Sequence, residues 1–287
     1  MISVFISLAT VTGLLAVLGT FLVAAHRWLI VTEDPRIEAV EAMLPHTNCG
    51  GCGFPGCRAF AEALVNRQTL PGKCGVATAA EHAQIAQFLG VEVGTFQKRV
   101  ARLACAGGDN VAHHRAHYQG LQSCAAASLV AGGGKSCFWG CLGLADCESA
   151  CTFDAIQMDS HRLPVVDEDR CTACGDCVVA CPKDLFSLEG IENRLWVACR
   201  SQEEGDAVLD HCVVGCTACG RCEMDAPDQV QMQGSLPVVN YSHGQLTAVA
   251  TQRCPTGAIV WISPTGPLKG QAAGQIIRHQ PLPDEST

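Results

Sequence analysis

Residues 171–182 read CTACGDCVVACP, and the spacing of the four cysteines decides what kind of chain this is. Cys171, Cys174 and Cys177 stand at C-x2-C-x2-C, and Cys181 comes after three more residues with Pro182 behind it. Turns of this length aim three thiolates at three irons of one cubane, while the fourth cysteine reaches a neighbouring cluster. A zinc knuckle is the competing reading. Zinc asks only for two C-x2-C pairs and gives no reason for the fourth cysteine or its proline.

Composition agrees. The chain has 287 residues, 20 of them cysteine, and a net charge of −9. Disulfide frameworks belong mainly to short secreted chains, whereas dense C-x2-C runs place thiols where metals bind them, so a reducing compartment is favoured. The acidic balance offers no basic stripe for phosphates, which argues against a nucleic-acid partner. Two further stretches look like motifs and are not. AGGGKS (131–136) lacks the earlier glycine of a phosphate loop, because Leu129 stands there, and HHRAH (113–117) reads as a solvated loop.

The motif recurs. CFWGCLGLADCESACTFDAIQMD (137–159) lines up with CVVGCTACGRCEMDAPDQVQMQG (212–234), and 163–188 lines up with 236–261, an offset of about 75 residues. Such a repeat implies two copies of one structural unit. Exchange of the fourth ligand lets partners be named. Cys171, Cys174 and Cys177 are completed by Cys151, and Cys181 completes a cluster held by Cys137, Cys141 and Cys147, with Leu144 where the copy has Cys219. In the second unit Cys216, Cys219 and Cys222 are completed by Cys254. The cluster beside it lacks every ligand at once: Ala226, Gly244, Thr247 and Ala250 occupy the four places.

Earlier in the chain, Cys49, Cys52, Cys57 and Cys74 form a C-x2-C-x4-C-x16-C group wrapped in glycine, with a helix expected over RAFAEALVNR. Again a cubane is read ahead of zinc. Cys105, Cys124, Cys199 and Cys212 are left over. A lone cysteine is ordinarily a small buried apolar residue. Four leftovers are also the number a fifth cluster needs, and Cys212 matches Cys137 in the repeat. Four [4Fe–4S] clusters are therefore expected, with a fifth as the second reading.

From Met1 to Ala25 the chain carries no charge, enough at ~1.5 Å per residue to cross a ~30 Å hydrocarbon core. A cleaved signal peptide would have a basic segment ahead of the apolar run, and none is present. Arg27 and Arg36 follow the span, which places the rest of the chain on the cytoplasmic side. The expected fold class is α+β, made of small metal-nucleated domains. The expected order is a transmembrane anchor (1–26), a linker helix (27–45), a helical 4Fe–4S domain (46–104, helical from about 77), a two-cluster ferredoxin-like unit (105–190), a one-cluster ferredoxin-like unit (191–263) and a flexible tail (264–287).

Taken together, the uncharged span, LPHTNCGGCGFPGC with its later GKCG, SCAAASLVAGGGKSC, GCLGLADC and the repeats resemble the B subunit of Rnf-type ion-translocating ferredoxin:NAD oxidoreductases in its longer form. The likeness reaches to about residue 262. It implies a membrane-anchored electron carrier in the bacterial inner membrane, not catalytic alone. Such a carrier relays electrons between soluble ferredoxin and other membrane subunits to drive Na+ or H+ transport and NAD reduction, or the reverse. It also implies that the motif cysteines named above are cluster ligands. The sequence departs from that family at Ala226, Gly244, Thr247 and Ala250, and at Asp109, where longer members often carry cysteine. Three other classes compete. A corrinoid-linked protein would need a cobamide domain for which no room remains; the others are a free-standing membrane-anchored polyferredoxin or redox sensor and a structural zinc scaffold.

Overall fold

The computed structural model describes residues 2–29, 34–95, 97–242, 244 and 246–274. Helix α1, Ile2–Leu29, is uninterrupted by proline or charge until its last turn, and none of its described positions is buried. Over Leu8–Leu29 it is long and apolar enough to span a bilayer.

Helix α2, Pro35–Ala42, starts where the Asp34 carboxylate accepts the Arg36 N–H at 2.9 Å and Pro35 takes the first helical position. Val40 and Leu44, four residues apart, fall on one face and are buried with Phe60 and Leu64 of α3 (Cys57–Val65) and Ile85 of α4 (Ala79–Leu89). Each such side chain contributes about 1.5–3 kcal/mol by leaving water. The segment read from sequence as a linker is therefore part of the first core. Helix α4 opens on a capping box of Thr78 and Glu81 and closes at Gly90, whose φ of 64° suits a residue without Cβ. The helix expected to run on toward 104 thus stops at Leu89, and Phe88 and Val93 are exposed.

Residues 99–103 instead form strand β1, Arg99–Leu103, whose partner lies far along the chain. After α5 (Cys124–Ser128) and α6 (Asp146–Ser149) comes a hairpin of β2 (Ile156–Met158) and β3 (Pro164–Val166). Helix α7 (Asp176–Ala180) and β4 (Phe186–Gly190) follow, and β4 runs antiparallel to β1 with Leu103 opposite Phe186. The order then repeats: β5 (Leu195–Val197), α8 (Arg221–Asp225), a hairpin of β6 (Val230–Gln233) and β7 (Leu236–Val239), and β8 (Ile259–Ser263). Strand β8 returns antiparallel to β5 with Val197 opposite Ile259. Where the first unit has α7, the second has only the single turn Ala248–Thr251.

The two copies touch at the ends of their first strands. The Trp196 indole N–H donates to Leu103 O at 2.8 Å, and Ala106 N–H donates to Ala198 O at 3.0 Å. The chain beyond Pro264, expected as a loose end, is packed as far as 274. Strand β9, Gly266–Leu268, pairs with β8, and Ala272 and Gly274 donate to the carbonyls of Gln252 and Pro255. Gly270 approaches Thr251 so closely that a Cβ would stand 1.8 Å from its carbonyl oxygen. Residues 275–287 of the expected tail lie outside the described residues.

Candidate metal centres

All twenty cysteines are free thiols, and the fold gathers them in five groups of four. In the first, Cys57 opens α3, Cys74 ends the turn Pro71–Lys73, and Cys52 and Cys49 lie in the glycine loop between α2 and α3. Cys74 faces Cys49 and Cys57, and Cys52 faces Cys74 and Cys49. Asn48 fixes the loop by accepting the Cys57 N–H on Oδ1 at 2.8 Å.

The second group is the one expected from the ligand exchange. Cys151, Cys171, Cys174 and Cys177 line one cavity with Ala101, Ile156 and Leu188, and no acidic or histidine side chain joins them. Backbone N–H groups of Ala101 and Ala155 point at Cys171 Sγ and Cys151 Sγ, each at 3.4 Å. Cys216, Cys219, Cys222 and Cys254 line an equivalent cavity in the second unit, again without carboxylate or imidazole. Both cavities measure about 20 Å3.

The third group differs from the sequence reading. Cys141 and Cys147 face Cys124, and Cys147 faces Cys181. Cys137 is elsewhere: it sits with Cys105, Cys199 and Cys212 around a further cavity of about 20 Å3 between the units. Backbone conformation explains the difference. In the two regular motif loops the left-handed residues are Ala173 with Gly175 and Ala218 with Gly220, and the loop after Cys141 has the same pair at Gly143 and Ala145. An alanine there costs roughly 1–2 kcal/mol and is kept because the turn must aim sulfur inward. The motif therefore begins at Cys141, runs through Leu144, Cys147 and Cys151, and lacks its second cysteine. Cys124 faces Cys141 and Cys147 from outside the motif. It opens α5, whose Ser123 hydroxyl and Ala125 N–H both donate to the Asp146 carboxylate of α6 at 2.9 Å. The gap at Leu144 was legible from the repeat; which cysteine faces it lay in no local pattern.

The place of the absent ligands in the second unit is packed. Ala226 and Ala250 are buried with Leu195, Val230, Val239 and Ile259, and Tyr241 and Leu246 pack against them. The Tyr241 hydroxyl donates to Leu195 O at 3.0 Å, and Thr247 N–H donates to the Gln229 side-chain oxygen at 2.8 Å.

Burial dominates the acidity of these thiols. It pushes Cys141, Cys147, Cys177, Cys212 and Cys216 up to about 12, and Cys137 and Cys222 up to about 11. Without metal these side chains are neutral at pH 7, and binding must expel their protons, so loading weakens as pH falls. Among the described residues no three His, Cys, Asp or Glu side chains converge closely enough for one metal ion. A zinc site needs four ligands within ~2.3 Å of one centre, whereas a cubane spreads its thiolates over four irons. Sulfur-only donors, apolar walls and N–H groups aimed at Sγ fit the cubane.

Comparison with known proteins agrees. A family described as "Putative Fe-S cluster" matches residues 44–76, and one described as "4Fe-4S binding domain" matches 163–186. The chain is 36% identical to the B subunit of the Na(+)-translocating ferredoxin:NAD(+) oxidoreductase complex of Acetobacterium woodii, over 86% of this chain and 76% of that protein. It is 36% identical to the B subunit of the proton-translocating ferredoxin:NAD(+) oxidoreductase complex of Clostridium ljungdahlii, over 87% and 89%. It is 35% identical to the B subunit of the ion-translocating oxidoreductase complex of Methanosarcina acetivorans, over 90% and 95%. The protein binds [4Fe–4S] clusters and serves electron transfer in a membrane-associated redox complex. Its cysteine frame, its apolar first helix and these likenesses together place the chain in the B-subunit family of Rnf-type ion-translocating oxidoreductase complexes.

Proposed function

We propose that the chain is the wire of its complex, taking electrons from soluble ferredoxin and passing them through cysteine-held clusters to membrane subunits that move Na+ or H+, or running in reverse. The ligand sets are Cys49, Cys52, Cys57 and Cys74; Cys151, Cys171, Cys174 and Cys177; Cys124, Cys141, Cys147 and Cys181; and Cys216, Cys219, Cys222 and Cys254. The clusters supply one-electron chemistry at potentials set by hydrogen bonding and exposure, and no acid–base residue is required. Arg27 in the last turn of α1 supports a cytoplasmic position for everything after it, in a bacterial inner membrane.

One observation carries the reading: the loops of the first and second groups are in van der Waals contact. A Cβ at Gly51 would lie 2.4 Å from Thr172 O, inside the C-x2-C turn of the second group. The second and third groups are tied covalently, since Cys147 and Cys151 flank one helix turn, as do Cys177 and Cys181. What separates these sites is a few residues of backbone rather than solvent.

Gly51→Ala tests this in the full chain, purified anaerobically in mild detergent and mixed rapidly with reduced ferredoxin. Iron content should match the parent. The visible bleaching should split into a fast and a slowed phase, because a methyl group pushes the two loops apart. Single-phase bleaching at the parent rate would remove the support this contact gives. A colourless, zinc-loaded parent would overturn the relay itself. Co-purification with other membrane subunits distinguishes a complex subunit from a free-standing polyferredoxin or sensor.

A further inference from the structure

AGGGKS (131–136) is no phosphate loop, and the structure gives its lysine another place. Gly132, Gly133 and Gly134 are all left-handed, with φ of 69°, 69° and 80°. A Cβ at Gly134 would stand 2.1 Å from Ala116 O, so only glycine lets this run lie against residues 113–116. Arg115 N–H donates to Gly134 O at 2.7 Å, and Ser136 N–H donates to His113 O at 2.8 Å. Held on both sides, Lys135 turns inward. It is 7% exposed, and its Nζ donates to Gly107 O at 2.5 Å and to Cys141 O at 2.6 Å.

Both acceptors are neutral carbonyls, and among the described residues no carboxylate forms an ion pair with this ammonium. A buried cation without a counter-charge is costly. The groups placed to supply one are thiolates. Lys135 faces Cys137 and Cys141, where its charge opposes the burial that pushes both thiols up. Cys141 belongs to the set with Cys124, Cys147 and Cys181, and a cubane on four thiolates is an anion that gains a further negative charge on reduction. A cation fixed beside it favours the reduced form. The second unit has no such cation. By the repeat Lys135 corresponds to Asp210, which is exposed, and no charged side chain lines the cavity of Cys216, Cys219, Cys222 and Cys254. One difference acts the other way, since Asp146 stands where the copy has Arg221. Asp146 is half-buried and already accepts from the Ser123 hydroxyl and Ala125 N–H, and Arg221 is exposed. Water screens both more than it screens Lys135. Glu148 and Glu223 each accept a backbone N–H, from Met158 and Met232, and cancel in the comparison.

We propose that Lys135 is the built-in counter-ion of the cluster held by Cys124, Cys141, Cys147 and Cys181, a positioning residue that raises its reduction potential above that of the equivalent cluster in the second unit. At equilibrium the first-unit cluster takes its electron before its counterpart does. Each accepts one electron from the reductant, with no bond made or broken and no proton required. The counter-ion role rests on the cluster reading of both ligand sets.

Anaerobic redox titration of the full chain in mild detergent, read by low-temperature EPR, tests it. The signals lost in Cys124→Ala and in Cys254→Ala identify the two clusters. In the parent, the signal lost in Cys124→Ala should appear at the higher potential. Lys135→Gln keeps N–H donors for the two carbonyls and gives up the charge, so its iron content should match the parent. At the parent midpoint its reduced-to-oxidised ratio for that cluster should fall about tenfold, equivalent to about 59 mV for one electron. The signal lost in Cys254→Ala should stay in place. Lys135→Arg, which keeps the charge, should titrate at the parent potential. A parent ratio in Lys135→Gln, or an equal fall in both signals, overturns the counter-ion. So does a parent in which the second-unit cluster is reduced first, and that order decides the matter if neither Lys135 variant takes up iron. Unchanged iron and EPR in Cys124→Ala refutes the ligand set instead, a failure of the underlying cluster reading.

Discussion

The two repeated units share one strand order and differ at one end. In the first unit Cys151, Cys171, Cys174 and Cys177 surround a cavity fitted to a cubane. In the second, the equivalent positions are Ala226, Gly244, Thr247 and Ala250, and Tyr241 and Leu246 have moved in. A cubane does two jobs for a small fold: it carries an electron and it cross-links four points of backbone that have little core of their own. Removing the electron carrier leaves the second job undone. The second unit answers with an aromatic ring, a Tyr241 hydroxyl on Leu195 O and a Gln229–Thr247 pair that ties the start of the β6–β7 hairpin to the loop before Ala248–Thr251. Losses confined to one cluster's ligands, with a packed replacement in the same place, describe a substitution of one scaffold for another.

The comparison is broken most directly by removing iron. Anaerobic chelation should strip hydrogen-exchange protection from residues 141–181 to near the unfolded level. The hairpin β6–β7 and residues 246–251 should keep part of theirs, since Val230, Val239 and Ala250 are buried in an apolar cluster with Leu195, Ala226 and Ile259. Equal loss in both regions would show that the second unit also depends on its remaining cluster throughout.

Tyr241→Ala sharpens it. Deleting a ring that packs on the apolar core of the second unit leaves a cavity and should lower stability by about 2–4 kcal/mol, a cost read from denaturant unfolding of the iron-loaded protein. Iron content should not change, because Tyr241 does not line the cavity of Cys216, Cys219, Cys222 and Cys254. Tyr241→Phe, which keeps the ring and gives up only the bond to Leu195 O, should cost about 1 kcal/mol. Loss of iron on either substitution would mean the packed end supports the surviving site.

How much of this was legible beforehand follows the reach of each signal. The motif at 171–182, its ligand exchange with Cys151 and the coordinated absence at 226, 244, 247 and 250 all lie within one repeat offset, and spacing alone exposes them. Cys124 lies well outside the motif it faces, on a helix placed by Asp146, and nothing near Cys124 in sequence announces that position. Grouping Cys137 with Cys141 and Cys147 concealed both the position of Cys124 and the junction. Strand β1 was hidden for a related reason: RVARL is neutral between helix and strand, and its partner β4 is over eighty residues away. The segment 266–274 looks like a tail by composition, since Pro and Gly report turns equally well when those turns are packed.

The smallest effect is expected from restoring one letter. Ala226→Cys completes the C-x2-C-x2-C-x3-C-P spelling of the second unit, so a reading by motif alone predicts a new cluster. The fold predicts none. A cysteine at 226 would be one thiol facing Gly244, Thr247 and Ala250, in a space already taken by Tyr241 and Leu246. Iron content should remain that of the parent, and one extra sulfur in a closely packed core should cost about 1 kcal/mol, the low end for overpacking. Four added irons in Ala226→Cys would show that the apolar packing is easily displaced and that ligands can be recruited from elsewhere, as proposed for Cys124 in the first unit. An unchanged count, beside an intact cluster at Cys254, would place the loss in the whole ligand set and its replacement core rather than in any single residue.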